Sequence, residues 1–130
     1  MASTCCRREF LGYGCLGASA LALTACGGEE EPSGWTDLIR LDEVPSGSAV
    51  KVSAGDRELL VHRSAEDEVQ VLSAVCPHQG CAVEVDSQRY VCPCHDSQFE
   101  LDGELIAGPA QQGLETVTSR VEGGMVRAEL

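Results

Sequence analysis

Cys76-Pro77-His78-Gln79-Gly80-Cys81 and Cys92-Pro93-Cys94-His95-Asp96-Ser97 are the two segments on which the reading of this chain turns. Together they read C-x-H, thirteen residues, then C-x-x-H. Two thiolates and two imidazoles satisfy either one tetrahedral zinc ion or one binuclear iron–sulfur cluster. The order of the ligands separates the two. Zinc fingers take two cysteines from one turn and two histidines from a later helix. Here each segment supplies one Cys and one His. That suits a [2Fe–2S] cluster whose irons differ, one held by both thiolates and the other by both imidazoles. A structural zinc site or a pair of disulfides would use the same residues.

The segments on either side read as antiparallel β structure. From Trp35 onward no run shows a helical period, and short β-favouring stretches alternate with Gly, Pro, Asp and Ser clusters. Strands are predicted over residues 37–41, 49–54, 58–63, 68–74, 82–85, 89–92, 116–121 and 125–130, with Val69, Val71 and Ser73 on one face. His62 falls in one of these strands and reads as a surface or partly buried strand residue. Trp35 is expected to pack against the sheet.

The chain has 130 residues, enough for one domain, with a formal charge of −12 from 9 basic and 21 acidic residues. An acidic excess of this size repels phosphate backbones and excludes nucleic acid as a partner. Apolar residues make up 43% and aromatics 4%, so a modest core of Val, Leu, Ile and Ala is expected. A cross-link or metal would stabilise such a core usefully. The eight cysteines form two groups: Cys5, Cys6, Cys15 and Cys26 near the start, and Cys76, Cys81, Cys92 and Cys94 in the middle.

The first group belongs to an address. Arg7-Arg8 precedes a run of small and apolar residues from Phe10 to Ala25, the layout of a secretory signal. The run is too short for a spanning helix, which needs about 20 residues. Arg7-Arg8-Glu9-Phe10-Leu11 resembles the twin-arginine export motif, with Cys6 and Gly12 departing from its usual flanks. Leu23-Thr24-Ala25-Cys26-Gly27 resembles the lipobox of bacterial lipoproteins, in which the cysteine is lipidated. An ordinary signal with an incidental Cys26, or an uncleaved anchor, are the other readings. The expected organisation is therefore a signal over 1–25, a flexible acidic tether over 26–36, and the domain over 37–130. This places the domain at the extracytoplasmic face of a bacterial membrane, held there by a lipid anchor.

Over most of Leu72–Ala110 the chain resembles the Rieske iron–sulfur family. The resemblance implies an all-β fold, an antiparallel β sandwich with a small cluster-binding subdomain formed by two loops. It implies one [2Fe–2S] cluster per chain, with Cys76 and Cys92 on one iron and His78 and His95 on the other. Cys81 and Cys94 correspond to the disulfide that ties the two loops in the quinol-oxidising branch. Ser97 matches a hydroxyl that donates a hydrogen bond to a bridging sulfide, and Gly108-Pro109-Ala110 resembles the proline loop that covers the cluster. Two neutral imidazoles in place of thiolates make the oxidised centre neutral and favour reduction. Potentials of such centres lie at about −150 to +300 mV, against about −400 mV for all-Cys plant-type ferredoxins.

By the same resemblance, the chain transfers one electron from membrane quinol, or from a quinol-oxidising partner, to a cytochrome-like acceptor. It would do so as a component of a cytochrome bc-like chain rather than as a stand-alone enzyme. Two further readings are the small Rieske subunit of a molybdenum oxidase of the arsenite-oxidising kind, and a non-catalytic metal-binding or redox-sensing lipoprotein. A dioxygenase catalytic subunit is excluded by length. Phe99 stands where high-potential members carry a Tyr that bonds a cysteine sulfur, and Asp96 stands where the family usually has Gly. One hydrogen bond is lost and one negative charge gained, and both disfavour reduction. Protein-film voltammetry should therefore place the potential below the high-potential respiratory members and above the dioxygenase ferredoxins, and a value at or above the respiratory group refutes this.

Overall fold

The computed structural model describes residues 34–130; the signal over 1–25, Cys26 and the tether up to residue 33 lie outside the described residues. Eleven strands follow in order: β1 (Trp35–Arg40), β2 (Ser48–Ala54), β3 (Arg57–Arg63), β4 (Val69–Ser73), β5 (Glu84–Asp86), β6 (Arg89–Val91), β7 (Gln98–Phe99), β8 (Leu105–Ala107), β9 (Thr116–Val117), β10 (Ser119–Glu122) and β11 (Met125–Glu129). A single 3₁₀ turn, Leu41–Glu43, is the only helical element among the described residues, so none there is long and apolar enough to cross a membrane. Every strand pairing is antiparallel.

The strands form three sheets, ordered β1-β11-β10, β2-β3-β4-β9 and β5-β6-β7-β8. The middle sheet is buried on both faces because its central strands alternate between two cores. Leu59, Val61 and Val71 pack with Val126 and Ala128 of the first sheet and with Val44. Leu60, Leu72 and Ala74 point the other way, toward Cys76, Val83, Tyr90, Cys92, Phe99 and Leu114. This explains the unbroken apolar run Leu59-Leu60-Val61. A strand covered on one face alternates apolar with polar, whereas one covered on both cannot. In β4, Val69 and Val71 lie together on the face toward the first sheet and Leu72 faces the site, with Val71 and Leu72 both fully buried.

The expected core composition also needs correction. Tyr90 and Phe99 are the largest fully buried side chains, and both lie on the site side of the middle sheet. Tyr90 and Phe99 face one another across the β6–β7 pairing, and the Tyr90 hydroxyl donates to the Leu101 carbonyl at 3.3 Å. Burial raises the Tyr90 pKa far above its ordinary value, so the hydroxyl stays protonated.

Strand boundaries differ where local turns intervene. β1 opens at Trp35, two residues before the expected domain start, because Trp35 and Thr36 pair with Glu129 and Ala128. The Arg120 guanidinium covers the Trp35 ring at 4.1 Å. The expected strand 82–85 is displaced to 84–86, leaving Ala82 in an isolated bridge with Val75. The expected strand 116–121 divides at Thr118, so that β9 joins the middle sheet and β10 the first. β7 and β8 were not anticipated: they are two and three residues long and carry too little pattern to register.

Lys51 on β2 ties the middle sheet to the site-bearing sheet, with its ammonium 3.0 Å from Glu58 and 2.7 Å from Glu84. Burial works against that charge, but hydrogen bonds to Glu84 and Glu58 outweigh it and hold the Lys51 pKa above its ordinary value. After β8 the chain crosses its own backbone: the Leu114 N–H donates to the Gly103 carbonyl at 2.9 Å. A Cβ on Gly113 would stand 2.4 Å from that same oxygen, and backbone cannot yield there cheaply. Gly113→Ala should therefore destabilise the domain by roughly 1–3 kcal/mol in denaturant unfolding, and an unchanged midpoint would contradict this crossing.

Candidate metal centre

The two segments that opened the sequence reading fold into two loops of the same shape. In the first, the Cys76 N–H donates to the Cys81 carbonyl at 2.8 Å and the Gly80 N–H donates to the Cys76 carbonyl at 2.9 Å. In the second, the Cys92 N–H donates to the Ser97 carbonyl at 2.8 Å and the Asp96 N–H donates to the Cys92 carbonyl at 3.0 Å. Each loop caps an antiparallel pair, Val75 with Ala82 and Val91 with Gln98. Each turns at its fifth residue, where φ is positive: +78° at Gly80 and +59° at Asp96. Asp is among the few side chains that enter this region at modest cost, which is how Asp96 occupies a glycine-like position.

This common shape puts a thiol at each loop's start and an imidazole near each tip. Cys76 and Cys92 are free, buried and in contact. Burial pushes the Cys76 thiol up, and its Cys92 neighbour adds to this, while the backbone N–H groups of His78 and Gln79 hydrogen-bond the sulfur and pull the other way. His78 and His95 lie outside the thiols, half-buried and exposed respectively. Their ring centroids are 4.9 Å apart in an edge-to-face arrangement. Cys81, which ends the first loop, forms a disulfide with Cys94 of the second. The sulfurs of Cys81, Cys92 and Cys94 lie within 4.8 Å of one another; two of the three are bonded together, so that trio is no ligand set as it stands.

A third segment closes the site from behind. The Ala110 N–H donates to Ser97 Oγ at 3.2 Å, and Ser97 is completely buried. Accepting that bond leaves the Ser97 hydroxyl proton free to donate elsewhere. Gly108 has φ +109°, and a Cβ there would lie 2.4 Å from Ser97 Cα. Only a residue without a side chain can bring residues 108–110 this close to the second loop.

Comparison with known proteins fits this arrangement. The Rieske [2Fe-2S] domain family matches residues 34–118, well over half of the chain. The chain belongs to the Rieske family. A curated relative, the cytochrome b6-f complex iron-sulfur subunit of Chlorobaculum thiosulfatiphilum, is 35% identical over 100 residues, covering 68% of this chain and 54% of the relative. The chain spans about half the length, or less, of the curated relatives it matches. The plasma membrane Rieske protein PetC3 of Synechocystis PCC 6803 superposes with a TM-score of 0.64 at 21% identity, over 73% of this chain and 99% of that one. Naphthalene 1,2-dioxygenase with indole bound superposes with 0.62 at 22% identity, over 72% of this chain and 25% of that one. At these identities the superpositions speak for the fold alone.

A Rieske domain binds a [2Fe–2S] cluster, and the donor set here fits one. Cys76, His78, Cys92 and His95 could hold it, because they offer two adjacent buried thiols and two more accessible imidazoles, one of each per loop. His62, on β3, stands apart from this set and lines a surface hollow with Gln70 and Asp102. Burial lowers its pKa, partly offset by Asp102, as for an ordinary half-buried strand residue. Sequence reasoning missed the Ser97–Ala110 hydrogen bond and the loop-on-loop contact at Gly108. The resemblance of Gly108-Pro109-Ala110 to a covering proline loop put this segment near the site, but did not show that it packs on Ser97. Gly108→Ala should push residues 108–110 off Ser97 and lower cluster content per chain, read as iron and visible absorbance against wild type; full cluster content in the variant would contradict the packing argument.

Proposed function

We infer that this Rieske domain is a one-electron carrier, working as the electron-transfer component of a quinol-oxidising complex that contains cytochromes. The observation that carries this reading is the burial gradient across the site. Cys76 and Cys92 are sealed inside, while the His78 and His95 rings meet edge-to-face farther out, His78 half-buried and His95 exposed. In the proposed ligand set Cys76 and Cys92 hold one iron, and His78 and His95 hold the other. The cluster supplies a one-electron couple. The protein's part is to expose one edge only. The imidazoles meet a partner, and a ring nitrogen not used for ligation can hold or release a proton there. The thiols stay away from water, and the Cys81–Cys94 bond keeps the two loops together.

The relatives support the class of partner. The b6-f name belongs to proteins of which this chain covers only part, so quinol as donor and a cytochrome as acceptor are proposed for this chain rather than read from it. Ser97 takes a tuning role in this reading, its free hydroxyl proton donating to a cluster sulfide while its oxygen accepts from Ala110. Phe99, buried and unable to donate, also suits the small subunit of a molybdenum oxidase of the arsenite-oxidising kind, which stands as the second reading. The first 25 residues act as an export signal, Cys26 carries the lipid, and the acidic stretch between Cys26 and β1 tethers the domain. A lipid is needed because an acidic body is repelled by anionic headgroups.

Three measurements check these proposals. The purified holoprotein should be reddish-brown and give a mixed-valence EPR signal on reduction, a signal lost in Cys92→Ser and His95→Ala; a colourless zinc protein would end the reading. Ser97→Ala should keep the cluster but lower its potential by about 50 mV, the equivalent of one hydrogen bond of roughly 1 kcal/mol. Radiolabelled fatty acid should enter the wild-type chain in cells and not Cys26→Ser, and equal labelling of the two would remove the lipid anchor from the proposal.

A further inference from the structure

The three sulfurs gathered at the junction of the loops have a chemistry that electron transfer does not use. Cys92 Sγ lies within 4.8 Å of both sulfurs of the Cys81–Cys94 disulfide. A free thiol beside a disulfide is the reactant pair of thiol–disulfide exchange, which needs no external oxidant or reductant. What restrains Cys92 in the loaded protein is its bond to iron, so this inference rests on the ligand reading above. We propose that loss of the cluster releases Cys92 to attack Cys81, converting the Cys81–Cys94 disulfide into Cys81–Cys92 and freeing Cys94.

The step balances within the chain. A sulfur–sulfur bond forms between Cys92 and Cys81 as the Cys81–Cys94 bond breaks. The proton that Cys92 gives up is matched by the one the departing Cys94 sulfur takes. Two features direct the attack to Cys81. A bond from Cys92 to Cys94 would have to close across Pro93 alone, whose ring fixes φ, while a disulfide requires Cβ atoms about 3.5–4.5 Å apart. Cys94 is also the exposed member of the existing bridge, with Cys81 half-buried, so expelling Cys94 puts the leaving thiolate in water. Cys76 is not part of the trio, although its thiol lies beside that of Cys92.

The product has a clear consequence. One cluster ligand is locked in a disulfide, so the emptied protein cannot take up a cluster until a dithiol reopens it. The buried ligand sulfur is meanwhile protected from further oxidation.

The test starts from holoprotein under anaerobic, thiol-free conditions. Iron is removed with a chelator, free thiols are alkylated with iodoacetamide, and peptides are mapped by fragmentation mass spectrometry. The expected result is alkyl groups on Cys76 and Cys94 with a Cys81–Cys92 bond, Cys94 labelling rising from background to about one group per chain. The emptied protein should then regain its visible spectrum from iron and sulfide only after treatment with dithiothreitol. Alkyl groups on Cys76 and Cys92 with the Cys81–Cys94 bond intact would overturn the proposal. So would a scramble of pairings that includes Cys76, which would indicate unfolding rather than directed exchange. Cys92→Ser separates the two layers of the argument: a cluster still present in that variant sinks the ligand reading, whereas the alkylation map in wild type decides the exchange.

Discussion

The contact between the Cys76 and Cys92 thiols is the constraint around which the rest of this domain is arranged. Burial opposes ionisation of the Cys76 thiol, and the Cys92 thiol beside it adds to that cost. Everything near them limits that cost or gives it a purpose. Backbone N–H groups of His78 and Gln79 are turned toward one sulfur. The disulfide between Cys81 and Cys94 fixes the separation of the loops from outside the pair. Residues 108–110 press on Ser97 from behind, and Tyr90 and Phe99 fill the floor. A cation placed between the thiols turns the cost into binding energy, which is how metal uptake couples to folding.

The layered architecture follows from needing a floor that does not move. The β3–β4 pair is buried on both faces, so its position is set by two cores rather than one. Leu60 and Leu72 face the site, and their neighbours Leu59, Val61 and Val71 face the first sheet. A shift of one residue in either strand would exchange the two sets and disrupt the packing of both cores at once. Lys51 adds a polar tie from the same sheet to Glu84 beside the loops. The two Cys-Pro loops therefore stand on a sheet packed from both faces.

The sequence carried the site more legibly than the fold, for a physical reason. Metal-ligand spacing is a short-range property: C-x-H and C-x-x-H can be read within single loops, and their order already favoured two unlike irons. The strands with six or seven residues, such as β2 and β3, were also readable, because turn residues at Gly47 and Gly55 bound them. β7 and β8 were not readable because so few residues cannot show a period. Tyr90 and Phe99 as core anchors escaped notice because scarce aromatics weigh little in composition, although each fills more space than any other buried side chain here. The motif Gly108-Pro109-Ala110 marked a covering loop, but its approach to Ser97 is a long-range contact whose partner no local pattern names.

The likeness of the two loops has an implication beyond this site. Six residues opening with Cys-Pro, closed by one pair of backbone hydrogen bonds and bent at a left-handed fifth position, serve twice on different hairpins. The backbone template is the same, and the chemistry differs in what each copy places at its third to sixth residues, from His78 and Cys94 to Cys81 and Ser97. Such a cap behaves as an interchangeable part: any antiparallel strand pair with the right separation is a candidate mount for it. For protein engineering, a biometallic site of this kind becomes a question of positioning two copies of one small fitting rather than building a whole domain.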